Sequence, residues 1–103
     1  MPRIKPRDLD DSKRHELLDD LWTMISLLET KQEVKHFFKD LLSETEAIML
    51  ARRIAIAKLL LRGESYDDIG RQIQAGSGTV ASVHRWLQGG FGGYEEGIKK
   101  LEQ

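Results

Sequence analysis

Apolar positions recur at helical intervals along most of the chain, and no segment alternates with period two over a useful length. Between residues 9 and 29, Leu17, Leu18, Leu21, Trp22, Ile25 and Leu28 mark an apolar face. Asp8, Asp10 and Asp11 precede it, where a helix N-terminus favours negative charge. A second helix is predicted over 31–42, because Val34, Phe37, Phe38, Leu41 and Leu42 follow the i, i+3, i+4, i+7, i+8 pattern. Ser43-Glu44-Thr45-Glu46 then has the S-x-x-E form of a capping box, so a third helix opens at Ser43. It carries Ile48, Ala51, Ile54, Ala55 and Leu59 to Leu61, and it stops at Gly63, a usual residue just past a helix end. Gly89-Gly90-Phe91-Gly92-Gly93 is too rich in glycine to continue a helix and reads as a loop before a last helix over 94–102.

Residues 65–87 form a separate pattern. Ser65 with Asp68 three residues on is an N-cap of the capping-box type, and Ile69 and Ile73 give a short helix one apolar stripe. Gln74-Ala75-Gly76 is a turn-length break, after which Val80, Val83 and Leu87 form the inward stripe of a second helix starting near Ser77. Two helices crossing steeply over so short a turn need a small residue where backbones approach, and Gly70 supplies one. The outward side of the second helix is Ser77, Gly78, Thr79, Ala81 and Ser82, all small or hydroxylated. This is the helix-turn-helix register, with Gln74 standing where glycine is usual. In that motif the second helix enters the major groove by its N-terminal turns. Hydroxyls there can reach phosphates or base edges directly or through water, and Arg71, His84, Arg85, Arg62 and Lys58 are candidates for flanking phosphate contacts. Without long base-readers in those turns, recognition is expected to lean on water and on DNA shape.

Composition narrows the function classes. The chain has 103 residues, 40% of them apolar and 32% charged, which suits one globular domain and is too apolar for a disordered chain. The expectation is an all-α fold of about six helices: a flexible basic arm over 1–8, then a single helical domain over 9–103. The absence of cysteine excludes a disulfide framework, a thiol nucleophile and thiolate metal sites. No apolar run reaches the roughly 18 residues of a membrane span, and no hydrophobic stretch follows the basic start, so the expected location is the cytoplasm, away from membranes. The net charge of −1 is unevenly spread. Residues 1–50 carry 8 Lys/Arg against 11 Asp/Glu (−3), whereas residues 51–88 carry 6 against 3 (+3). Positive charge therefore gathers in and just ahead of the helix-turn-helix.

Residues 41–87 resemble the Trp repressor family, especially its YerC/YecD branch. The resemblance is carried by Leu41-Leu42-Ser43, Arg53, Leu60-Leu61-Arg62-Gly63-Glu64, Ile69, Ile73, Ala75-Gly76 and Thr79-Val80, while the glycine-rich segment with Tyr94-Glu95 fits that branch. The Trp repressor is itself one of the standard helix-turn-helix proteins. The resemblance implies an intertwined homodimer with interlocking N-terminal helices and two recognition helices about one DNA turn (~34 Å) apart on a pseudo-palindrome. It also implies an effector pocket at Ser43, Arg53, Ser82 and Trp86. There Arg53 matches one of the two arginines that clamp the corepressor L-tryptophan, and Ser43 matches a hydroxyl near its amino group. Ser82 stands where the second arginine belongs, Val83 where a glycine does, and Trp86 where a pocket serine does. Losing the carboxylate-facing arginine removes a charge-assisted contact. These departures argue against tryptophan control. The expectation is that Trp86 plugs the pocket and leaves DNA binding constitutive or tied to another signal.

Other chemistry is poorly represented. His15, His36 and His84 are scattered and lack metal-ligand spacing, so no metal and no resident cofactor is expected. Asp10-Asp11, Asp19-Asp20 and Asp67-Asp68 read as caps and solvated faces, and Trp22, Phe37 and Phe38 as dimer core. No nucleophile elbow, phosphate loop or dinucleotide fingerprint is present, which points away from an enzyme. The leading expectation is a sequence-specific DNA-binding transcriptional regulator of the repressor kind, with double-stranded DNA and a second copy of the chain as partners. The alternative is a module that keeps the helix-turn-helix shape for protein partners.

Overall fold

The computed structural model describes residues 10–103, and among them it contains six helices and no strand. The basic arm expected over 1–8 lies outside the described residues. The helices fall into two compact units divided after Leu41.

The first unit holds α1 (Asp11–Leu27) and α2 (Lys31–Leu41). Asp10 caps α1, its carboxylate accepting from the Lys13 N–H at 2.6 Å. At the start of α2 the Thr30 hydroxyl accepts from the Glu33 N–H at 3.1 Å, and the Glu33 carboxylate reaches back to accept from the Glu29 N–H at 2.7 Å. The S/T-x-x-E form of Thr30 to Glu33 signals the first of these bonds; in the second, Glu33 reaches one residue ahead of the cap. Phe37 and Phe38 meet edge to face, with ring centroids 5.2 Å apart. Neither helix buries a residue: Leu17, Leu18, Trp22, Met24 and Leu27 of α1 are all exposed.

The second unit runs from Leu42 to Gln103 and is organised around α3 (Glu44–Leu61). Against α3 pack α4 (Tyr66–Ile73), α5 (Ser77–Gly89) and α6 (Gly93–Leu101). Ile56, Ala57 and Leu59 of α3, Ile69 of α4, Val80 and Val83 of α5 and Ile98 of α6 form one buried cluster. Burying a Val or Ile side chain stabilises by about 1.5–3 kcal/mol, so these few residues hold the four helices together. Both ends of α3 are closed as its sequence demands. The Ser43 hydroxyl accepts from the Glu46 N–H at 3.2 Å, and the Glu46 carboxylate accepts from the Ser43 N–H at 2.8 Å. At the other end Gly63 takes φ +84°, its N–H bonds the Leu60 carbonyl, and the Glu64 N–H bonds that of Leu59, a Schellman arrangement.

Two expectations change. The stripe assigned to α3 is buried only in part: Ile48, Ala51, Ile54 and Leu61 are exposed, while Leu59 is inside together with Ile56 and Ala57, which the stripe omitted. The helix is apolar on several sides, so periodicity cannot say which side its neighbours cover. The glycine-rich loop is also shorter than predicted, since Gly89 ends α5 and Gly93 begins α6.

The cap hydrogen bonds predict an acid sensitivity. The Ser43 N–H and hydroxyl hold the Glu46 carboxyl below the ordinary carboxylate range, and the Ser65 hydroxyl with the Arg71 guanidinium does the same for Asp68. Both groups are held lower in the folded state, so the unfolded chain binds more protons across that window. Their contribution is complete above the ordinary carboxylate range and is lost as pH falls through the depressed values. Urea midpoints should therefore fall between about pH 6 and about pH 3, and Glu46→Gln should flatten part of that fall.

Candidate nucleic-acid interface

The candidate interface comprises α4, the three-residue turn and α5. Ser65 caps α4 by accepting from the Asp68 N–H at 3.2 Å. The reciprocal half of a capping box is not formed; the Asp68 carboxylate accepts from Arg71 one turn on. The turn closes through Gln74, which adopts the left-handed conformation at φ 57° and ψ 44°. A left-handed backbone at this position explains why glycine is usual there. Gly70 is placed as expected, but the backbone that approaches it belongs to the turn: a Cβ there would lie 3.3 Å from the Ala75 carbonyl oxygen.

Helix α5 is anchored by Val80 and Val83, both fully buried, and its remaining sides follow from helical geometry. Ser77, Gly78 and Thr79 of the first turn are exposed, and Ala81 and Ser82 behind them are half-buried. Arg85 is exposed on the same side as Gly78 and Ala81 and is the one cationic side chain there, with the exposed Gln88 one turn beyond it.

The structure sorts the remaining candidates. Arg71 is exposed and paired with Asp68, Arg62 pairs with Glu102 at 3.5 Å, and Lys58 is half-buried on α3. His84 does not stand alone: its Nδ1 lies 2.8 Å from the Tyr66 hydroxyl, joining α5 to the first residue of α4. Tyr66 was missed by the sequence reading. Its only signal is its place directly after a helix-capping serine.

A groove of about 740 Å³ lies on another side of α5, walled by Arg53 and Ile54 of α3, Trp86 of α5, and Phe91, Tyr94 and Leu101 beyond it. Of the four residues expected at an effector pocket, it brings Arg53 and Trp86 together, while Ser43 and Ser82 are not in its lining. Trp86 is 54% exposed and forms part of the groove's wall. Gly90 permits this packing, because a Cβ there would lie 2.3 Å from the Trp86 carbonyl oxygen. No group of acidic and histidine residues among those described is arranged to hold a metal ion, and no described helix is long and apolar enough to cross a membrane.

A family model, the Trp repressor protein, matches residues 16–102. The chain belongs to the Trp repressor family. This is a helix-turn-helix family of DNA-binding regulators rather than enzymes. Among proteins of this kind, the chain is 31% identical over 93 residues to Bacillus subtilis (strain 168) YerC, itself uncharacterized, covering 90% of this chain and 89% of YerC. Its fold matches a TrpR-like protein from Eubacterium eligens ATCC 27750 with TM-score 0.80 and 28% identity, over 85% of this chain and 91% of that one. It also matches a proposed Trp repressor of Staphylococcus aureus with TM-score 0.79 and 31% identity, over 84% and 87% of the two chains. The six-helix, strand-free architecture expected from the sequence is therefore that of TrpR-like proteins.

Within this family member, the strained turn gives a direct prediction. Replacing Gln74 with glycine relieves the left-handed strain and should stabilise the fold by about 0.5–1 kcal/mol, read as a raised thermal midpoint. Gln74→Val, with a branched Cβ in the same conformation, should lower it.

Proposed function

We propose that this protein is a sequence-specific DNA-binding transcriptional regulator of the repressor kind, acting as a homodimer on a pseudo-palindromic operator with α5 in the major groove. The observation that carries the reading is the division of α5 into a buried valine anchor and an exposed first turn of Ser77, Gly78 and Thr79. Ala81, Ser82 and Arg85 extend that outward side, while Lys58, Arg62, Arg71 and His84 flank it as phosphate contacts. The homodimer is supported by apolar surface that each unit leaves uncovered: Leu17, Leu18, Trp22 and Met24 in the first, Ile48, Met49 and Leu50 in the second. Interlocking the N-terminal helices of two copies would bury it.

DNA binding in this reading does not require L-tryptophan. Arg53 alone supplies a cation to the groove, and neither Ser43 nor Ser82 reaches its lining. Titration calorimetry should detect no micromolar L-tryptophan binding, and such binding would overturn this part.

A second reading, a helix-turn-helix-shaped module for protein partners, is favoured by the tied cations Arg62 and Arg71 and by the short side chains of the first turn of α5. Selection of duplexes from a random oligonucleotide pool at two salt concentrations separates the two. A regulator enriches one motif with two-fold symmetry and loses affinity steeply with salt. Arg85→Ala should then weaken binding by about tenfold and relax the motif at the bases it meets. An interaction module enriches no motif.

A further inference from the structure

The hydrogen bond between Tyr66 and His84 joins positions eighteen residues apart and spans the two helices of the DNA-reading element. The rings also touch edge to face, with centroids 5.8 Å apart and planes at 72°. A phenol that served only as packing would not need its hydroxyl 2.8 Å from an imidazole nitrogen. We propose that Tyr66 is a positioning residue for DNA recognition: its O–H donates to His84 Nδ1, which fixes the tautomer bearing hydrogen on Nε2 and directs that N–H to a DNA phosphate beside α5.

The chemistry selects this arrangement over its reverse. A neutral imidazole has one donor nitrogen and one acceptor nitrogen, and a neighbouring hydrogen bond decides which is which. If Nδ1 carried the hydrogen and donated to the phenol oxygen, Nε2 would be an acceptor, and a phosphate oxygen facing it would be repelled. A phenol O–H donating to the basic Nδ1 leaves Nε2–H as the free donor. Among the described residues Nε2 has no hydrogen-bond partner, and the His84 side chain is half-buried, so the ring is held while one edge stays open. His84 lies one and two turns behind Ala81 and Ser77, along the border of the outward side of α5. Tyr66 begins α4, the helix that crosses the DNA backbone in this motif. The pair therefore stands where a phosphate would pass between the two helices. This inference rests on the DNA-binding reading above and adds a donor to it.

The test has two arms on the full chain. Long-range 1H–15N spectra of the free protein should show His84 hydrogen on Nε2, and Tyr66→Phe should give a tautomer mixture. Hydrogen on Nδ1 in the unaltered protein would overturn the proposal. On a duplex enriched from the random pool, measured well below the melting transition, Tyr66→Phe should weaken binding about three- to tenfold, the range of one modest hydrogen bond. His84→Gln keeps an N–H near the Nε2 position and should stay within about threefold of the unaltered protein, whereas His84→Ala should lose about tenfold or more. Affinity unchanged in Tyr66→Phe, or equal losses for the glutamine and alanine variants, would reduce the pair to a structural staple and overturn the phosphate role. Failure of the unaltered protein to enrich any duplex would instead bring down the DNA-binding reading and this role with it.

Discussion

The docking of Val80 and Val83 into the C-terminal half of α3 governs what the rest of α5 can do. Both are completely buried, and they share one cluster with Ile56, Ala57, Ile69 and Ile98, so the rotation of α5 about its own axis is fixed by residues from three other helices. With that rotation set, helical geometry decides the remainder: Gly78 and Arg85 point away from the core, Trp86 walls a groove, and His84 meets Tyr66. A residue larger than valine at either anchor would have to displace close-packed neighbours, and a smaller one would leave a void beneath α5. The outward face is small and hydroxylated, so its precision in space depends almost wholly on this anchor.

The electrostatics suit an interface that must release its own partners. Arg62 and Arg71 are engaged, but both ion pairs are exposed, and exposed pairs contribute little to stability because solvent and salt screen them. A phosphate competes well for such an arginine, since each contact also releases counterions condensed on the DNA. Two acidic side chains in the first turn of α4, Asp67 and Asp68, work the other way, with Asp68 offset by its pairing with Arg71. The balance is modest, in keeping with the +3 carried by residues 51–88, and it leaves register and orientation to hydrogen bonds rather than to bulk charge.

Much of this was legible in the sequence because it is local. Capping at Ser43 and Ser65, the stop at Gly63, and the valine stripe of α5 each depend on residues within one or two turns of one another, and each is found where the pattern places it. The buried side of α3 was not legible: a helix with apolar residues on several sides carries no periodic mark of which neighbour will cover it. The pairing of Tyr66 with His84 was hidden for a different reason, since it is created by the crossing of two helices and has no counterpart in spacing. The setting of Trp86 was not legible from spacing either. Gly90 allows backbone to lie against the Trp86 carbonyl, and the indole is left as a wall with half its surface exposed.

The central claim, that the outward side of α5 reads DNA while the valine side holds it in place, is tested most directly by mapping amide chemical shifts as an enriched duplex is added. The largest changes should fall on Ser77, Gly78, Thr79, Ser82 and Arg85, with Val80, Val83 and the buried residues of α3 little affected. Changes confined to α1 and α2, or to the groove beside Trp86, with the first turns of α5 unmoved, would contradict it.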